Sequence, residues 1–313
     1  MNSSFRHMLR LVPVLLGATV LTFVLVNLLP GDPVVAMLGD QATPAQVAAL
    51  RAQMGLDEPV LLRYFNWLTS ALHGDLSRSL MTREPVTEAV LHRLPVSLQL
   101  TLMAQGIALF LGLPLGILAA WRRDSALDRM VSAGAYGLLS TPVFILAVVL
   151  IYLVSVRLGW LPATGYTPIG VDLFANLRSM VLPSIVLAAA PTAIYARLVR
   201  SDMIATLQED FILLAKAQGH SVGYILFRQA LRPSVLPLIT VFGVNTGVLI
   251  GGAVIIEYLF ALPGMGSLMV EAILSRDYPM LQGVVLCVAV AFCIVNLLVD
   301  LAYLLLDPRI RHE

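Results

Sequence analysis

Charge is scarce in this chain: 12% of its residues are Asp, Glu, Lys or Arg, against roughly 25% in an average soluble domain. With 58% hydrophobic residues, it cannot cover itself with a solvated surface and needs lipid as solvent. Lysine is scarcer still. Lys216 is the one lysine and Ala217 follows it, so no glycine-rich loop ending in Lys and Ser or Thr exists to cradle a nucleotide phosphate. The two cysteines, Cys287 and Cys293, fall on different faces of a helix, which suits packing better than a disulfide or a metal pair. The five histidines form no close ligand pair and lie outside the apolar runs, whereas an intramembrane metal site or proton relay needs ionisable groups at membrane depth. A net charge of +1 gives no sign of nucleic-acid binding.

What the chain has in abundance is uncharged length. Runs without charge extend over Leu11–Pro30, Leu94–Trp121, Met130–Val156, Ser179–Ala196, Pro233–Ile256 and Tyr278–Val299. Each approaches or exceeds the roughly 20 helical residues that cross a hydrocarbon core of about 30 Å. A membrane barrel would alternate polar and apolar residues instead. The sequence therefore predicts an all-α polytopic membrane protein of about six transmembrane helices. Arg6 and Arg10 precede the first run as in a signal peptide, but the run is too long and no small-residue cleavage site follows before Pro30, so it reads as a retained span. The expected organisation is a first span over 9–30, an extracytoplasmic helical segment over 31–94, a five-helix core over 95–306 with an inner loop at 199–232, and a tail over 307–313.

Positive charge sets the orientation. With the amino terminus inside, the cytoplasmic segments carry twelve of the twenty basic residues, among them Arg122, Arg123, Arg129, Arg197, Arg200, Lys216, Arg228 and Arg232. Both termini are then expected in the cytoplasm. In the long outer segment, Thr43 and Pro44 offer an N-cap and a first-turn proline to a helix through Val47, Leu50 and Met54. A second apolar helical pattern passes through Val60, Leu61, Tyr64, Trp67 and Leu68; Tyr64 and Trp67 suit either packing or an interfacial belt. On the inner side, Ile204, Leu207, Phe211, Leu214 and Gln218 share one helical stripe, ended by Gly219. Ser221 then caps a second helix, which Arg232 and Pro233 close. The expectation is a helix, turn and helix facing the cytoplasm, either ordinary packing or a docking element.

Within the spans the polar residues are mostly uncharged. Gln99, Thr101 and Gln105 lie in the second run and Asn245 and Thr246 in the fifth, where they hydrogen-bond between helices or line a solute path. Gly243, Gly247 and Gly251 form a ridge that admits a close neighbour, internal or from another subunit. Only Asp300 and Glu257 approach intramembrane charge: Asp300 snorkels or pairs at the inner end of the last span, and Glu257 ends the fifth span near the outer headgroups as a loop anchor or part of an outer gate. A transporter driven by protons or sodium normally carries more intramembrane charge, so the energy source is expected outside the chain.

Several strings, in order and spacing across nearly the whole chain, resemble the permease subunits of the peptide and nickel class of binding-protein-dependent ABC importers. They are Leu29-Pro30-Gly31-Asp32-Pro33, Met54-Gly55-Leu56-Asp57-Glu58-Pro59, Gly74-Asp75-Leu76, and Ala196-Arg197-Leu198-Val199-Arg200. Then come Asp210-Phe211 with Ala215-Lys216-Ala217-Gln218-Gly219, Leu231-Arg232, Glu257-Tyr258-Leu259-Phe260 and Pro263-Gly264-Met265-Gly266. Arg276-Asp277-Tyr278-Pro279 and Asp307-Pro308-Arg309-Ile310-Arg311 complete the set. The chain departs from the family at Leu213, Leu214 and Gln218, where polar or acidic residues and a lysine are usual.

The resemblance implies a type I ABC importer transmembrane-domain fold in a bacterial inner membrane. It makes Asp210, Phe211, Ala215, Lys216, Ala217, Gly219, Leu231 and Arg232 a coupling loop for a cytoplasmic ATPase. Pro263, Gly264, Arg276 and Asp277 then join Glu257 near an outer gate. The implied partners are a second, homologous permease, two cytoplasmic ATPase subunits that hold ATP and Mg, and an extracytoplasmic solute-binding protein; this chain holds no cofactor of its own. Di- or oligopeptides are the implied substrates, with nickel complexes or glutathione as alternatives. A self-sufficient secondary transporter, or a membrane anchor for another complex, are the readings from other classes.

Overall fold

The computed structural model describes residues 13–24, 33–38, 42–53 and 55–306. The Leu29–Asp32 string, Met54, the remainder of the first run and the tail from Asp307 lie outside the described residues, as does the side chain of Asp300. The helices in chain order are α1 Pro13–Val24, α2 Pro33–Leu38, α3 Pro44–Gln53, α4 Val60–Leu72, α5 Val86–Trp121, α6 Ala126–Ser140, α7 Val143–Arg157 and α8 Leu173–Thr206. They continue as α9 Asp210–Ala217, α10 Val222–Ser234, α11 Leu236–Gly252, α12 Val254–Leu259, α13 Met265–Leu274 and α14 Tyr278–Leu306.

Three of these, α5, α8 and α14, are long and apolar enough to cross a membrane unbroken. Two further pairs of helices are long and apolar enough only when taken together, and both are bent: α6 with α7 at 103°, and α10 with α11 at 55°. The third run was expected as a single straight span, and the break lies at Thr141-Pro142. Thr141 is extended at φ −90°, ψ 120°, because the ring of a following proline pushes a residue out of the helical region. The second inner helix does not end at Pro233, as expected, but runs through it into the fifth span. π-type turns over Ile225–Ala230 widen the helix just ahead of the proline, so its missing N–H and bulky ring bend the helix rather than stop it.

The chain forms two compact units, residues 1–97 with 263–293, and residues 98–262 with 294–313. In the first, Leu76, Val86, Val90, Met265, Leu268, Met280 and Val284 make the centre of a buried cluster. Helix α3 begins as its sequence predicts: the Thr43 amide donates to Gln46 Oε1 at 2.9 Å, and the Gln46 amide to Thr43 Oγ1 at 3.4 Å, a reciprocal cap. Tyr64 and Trp67 on α4 pack against Phe23 of α1, with ring centroids 5.4 and 6.2 Å away. Tyr64 also shares a 2.9 Å hydrogen bond with Thr19. Packing is thus the role these two rings play.

In the second unit, α8 is the spine, with α6, α7, α11 and α12 packed along it. Its buried face includes Met180, Leu182, Val186, Tyr195, Val199 and Met203. Gly112 and Gly116 of α5 supply the closest approach to it. A Cβ at Gly116 would sit 2.7 Å from the Ala196 carbonyl oxygen and 2.9 Å from Val199 Cβ, distances only a missing side chain permits.

Candidate functional site

The inner hairpin is built from local signals. Helix α8 ends at Thr206, and the chain turns through Leu207, Gln208 and Glu209 before α9. The stripe from Ile204 to Gln218 therefore belongs to two helices, not one, because Glu209 leaves the helical region at ψ 150° to become the N-cap of α9. Asp210 in the first turn and Lys216 in the last complement the helix dipole. At its end, Gly219 takes φ +78°, and its amide donates to the Lys216 carbonyl at 3.0 Å while that of His220 donates to Ala215 at 3.2 Å. This pair of bonds is a Schellman stop, which needs the left-handed residue that glycine supplies. The Ser221 hydroxyl oxygen then accepts from the Tyr224 amide at 3.4 Å, opening α10 as its sequence predicts. At the base of the hairpin, Thr206 and Ser234 hydroxyls meet at 3.2 Å.

Ile212 and Ala215 are buried at 0% and 3% exposure, on the side where α9 packs against the π-type turns of α10. Ala215 therefore packs within the chain, where its small size admits α10, and is not free to approach a partner. Ala217, Lys216 and Asp210 stay exposed, as does Arg232, while Leu231 is half-buried. The stripe residues Phe211 and Leu214 are exposed, along with Leu213, Val222, Tyr224 and Phe227. Six large apolar side chains around one short hairpin form a surface the chain leaves uncovered, and such a patch marks an interaction site or a lipid contact.

Deeper in the second unit, Gln105 is 1% exposed and satisfied on both ends of its amide. Its Nε2 donates to Thr246 Oγ1 at 2.7 Å and to the Phe242 carbonyl at 3.3 Å, and its Oε1 accepts from the Tyr195 hydroxyl at 2.6 Å. The network ties α5, α8 and α11 together without offering a group to solute. Gln99 is bound likewise, donating to Asn176 Oδ1 at 2.5 Å. Asn245 differs: its Nδ2 is buried beside the Tyr195 hydroxyl without a well-formed hydrogen bond. Of the glycine ridge, Gly243 faces the last span, where a Cβ would lie 2.2 Å from Val299 Cγ2, an internal contact. Gly247 is buried and Gly251 half-buried.

Glu257 is 0% exposed within α12, and its carbonyl accepts from the Leu262 amide at 2.8 Å. In the first unit, Gly264 caps α13, exchanging hydrogen bonds of 3.0 and 2.9 Å with Ser267; Pro263 before it is half-buried. Arg276 ends α13 in the left-handed region at φ +56°. Asp277, 3% exposed, is a tether: its carboxylate accepts from the Ser79 hydroxyl, from the Leu80 amide at 3.1 Å and from the Met280 amide at 3.4 Å.

Sequence reasoning missed Tyr195, the Gly112 and Gly116 pair and the ion pair of Asp128 with Arg200, whose Nε and Nη2 reach the carboxylate at 2.5 and 2.8 Å. The glycine pair carried a signal, the same four-residue spacing noted in the fifth span. Tyr195 and Asp128 did not, since their partners lie 90 and 72 residues away.

A bundle of long apolar helices, locked by internal polar contacts and leaving one capped hairpin with an apolar surface outside it, is the membrane-embedded component of a transport machine. Comparison with known proteins agrees: residues 112–312 match the family of binding-protein-dependent transport system inner membrane components, and residues 3–101 match that system's amino-terminal membrane component. The chain belongs to this family and is the permease of a binding-protein-dependent ABC importer of the inner membrane. A protein of Brucella abortus, named as a candidate peptide transport system permease, is 41% identical over 302 residues, covering 96% of each chain. The dipeptide transport system permease of Alkalihalophilus pseudofirmus is 36% identical over 329 residues, covering 99% of each. Among solved structures, a chain of the inward-facing MetNI methionine ABC transporter aligns at TM-score 0.59 and 18% identity, over 70% of this chain and 96% of that one, which shows the fold.

Proposed function

We propose that this chain forms half of the translocation pathway for di- or oligopeptides, with a second, homologous permease as the other half. Two cytoplasmic ATPase subunits hold the ATP and Mg and supply the energy, and an extracytoplasmic binding protein delivers the solute. The observation that carries the reading is the exposed apolar surface of α9 and the start of α10, on a hairpin whose ends are fixed by caps. Such an element moves as a unit when a partner pushes it. Closure of the ATPases displaces the hairpin, α10 carries the displacement through its bend into α11, and the pathway opens alternately to either side. Peptide as substrate rests on the relatives' names.

The orientation in this proposal puts both termini and Gly219 in the cytoplasm and Gly74 and Gly264 outside, on the strength of the basic-residue distribution. The test of the docking role compares two glycines. A side chain at Gly219 meets no atom within 4 Å, but the backbone there is left-handed; Gly170 has equal space and no such constraint. Gly219→Val therefore leaves membrane abundance near normal and sharply lowers ATPase association and peptide uptake, and Gly170→Val does neither. Wild-type uptake by the Gly219 variant would return the hairpin to ordinary packing.

A further inference from the structure

The first unit contains a cavity of about 660 Å³ between α1, α4, the segment after α4 and the start of α14. This is the size of a pocket for a small organic ligand. Its wall carries two carboxylates, Glu58 and Asp75, and two guanidiniums, Arg63 and Arg78. Among the described residues no ion pair joins any of these four. Asp75 Oδ1 accepts from the Ser77 amide at 2.8 Å, Arg78 Nη1 donates to the Arg83 carbonyl at 3.2 Å, and Arg63 lies over the Phe23 ring at 5.9 Å. Opposite charges that share a wall without a direct ion pair between them leave a cavity that is neutral in sum and carries both signs.

A second, independent feature points to an occupant. Gln282 of α14 lines the cavity at 7% exposure and makes no hydrogen bond with another described residue. Its amide is therefore free to bond an occupant of the cavity. Phe23, Trp67 and Tyr278 add apolar and aromatic surface to the same wall. Burial lowers the pKa of Arg63 while nearby Glu58 opposes the shift.

We infer that this cavity is a binding site for a short zwitterionic peptide, its ammonium held by Glu58 or Asp75, its carboxylate by Arg63 or Arg78, and a peptide group by Gln282. Charge-assisted bonds to both termini would select free peptides over blocked ones. The site belongs to the first unit and the hairpin to the second, so it would give the first unit a solute contact of its own. The choice of a peptide as the zwitterion rests on the peptide-import reading.

Trp67 serves as the reporter. With Trp121→Phe and Trp160→Phe, it is the one tryptophan left. The full chain in lipid nanodiscs is titrated with trialanine and with its N-acetylated, amidated form. Saturable change in Trp67 emission with free trialanine, at least about tenfold weaker binding of the blocked form, and similar weakening in Glu58→Gln and Arg78→Gln are expected. Both substituted residues are exposed, and Gln282→Leu provides a third variant. Equal response to both peptides, no saturable response, or wild-type affinity in all three variants overturns the inference. A signal that follows phosphatidylethanolamine content and is not displaced by trialanine also overturns it, by making the cavity a lipid site. Uptake of labelled trialanine by the complete transporter, measured in parallel, separates the two claims: uptake without binding sinks the cavity alone, and binding without uptake sinks the peptide-import reading alone.

Discussion

The ends of α9 and α13 stop in the same way and lead to opposite results. Each closes with two backbone bonds around a left-handed residue, Gly219 in one and Arg276 in the other. After Gly219 the chain stays exposed, through His220, Ser221 and Val222, and the apolar surface beside it is open. After Arg276 it goes straight to Asp277, which is buried and gathers three donors from its surroundings. One stop presents a surface and the other locks a loop. A local motif therefore does not declare its role; the burial of the next residue does.

The lock gives the largest effect. Asp277→Ala removes the acceptor for the Ser79 hydroxyl, the Leu80 amide and the N-cap bond to Met280, and leaves the first two buried or half-buried. The expected loss is about 3 kcal/mol, from a cap of about 1 and stranded donors of about 1 each. Thermal melting in detergent, with protease cleavage between residues 77 and 85 as a local reporter, measures it. Asp277→Asn, which keeps one acceptor oxygen, should fall about midway. A melting curve unchanged by both substitutions would deny the tether.

The same pairing explains what could be read from the sequence beforehand. Caps and stops were readable because their partners are three to five residues away: Thr43 with Gln46, Gly219 with Lys216, His220 with Ala215, Ser221 with Tyr224. Five of the six apolar runs coincide with the three unbroken long helices and the two bent pairs, and the ordered strings pointed to the family. What escaped depends on distance or on the balance of two local effects. Asp277 meets Ser79 across 198 residues, and no periodicity reports such a pair. Pro142 and Pro233 both lie in or beside uncharged runs, yet one breaks its helix by 103° and the other only bends it by 55°. The difference is the widened turns ahead of Pro233, which hydropathy does not encode. The apolar stripe left packing and docking open, because periodicity does not say which face is covered; Phe211 and Leu214 are on the outside, as a docking surface requires.

The opposite choice of residue at the two stops allows a finer test on the hairpin. At Gly219 a methyl group would meet no atom within 4 Å, so Gly219→Ala costs only the left-handed backbone, about 1 kcal/mol. That amount is small beside the packing of the spans, and the melting temperature should fall by only a few degrees. ATPase association should fall more than stability does, because the turn sets where Phe211 and Leu214 sit relative to Val222. Equal proportional losses in the two measurements would mean that the hairpin matters only for folding.

Arg276 is the complementary case and the smallest effect. Its φ of +56° carries a strain of about 1 to 2 kcal/mol for a residue with a Cβ. Glycine removes that strain but frees the unfolded chain, at a cost of about 0.5 to 1 kcal/mol. The side chain is exposed, so little packing is lost. Arg276→Gly should then stabilise the protein by about 0.5 kcal/mol, opposite in sign to Gly219→Ala. A melting temperature raised by about 1 to 2 °C is the expected reading. If stability rises and uptake holds, the arginine is no more than a tolerated stop; if stability rises while uptake falls, the strain is kept for the side chain's own work. A fall in melting temperature would show that Arg276 makes a stabilising contact that outweighs its backbone cost, and the symmetry between the two stops would fail.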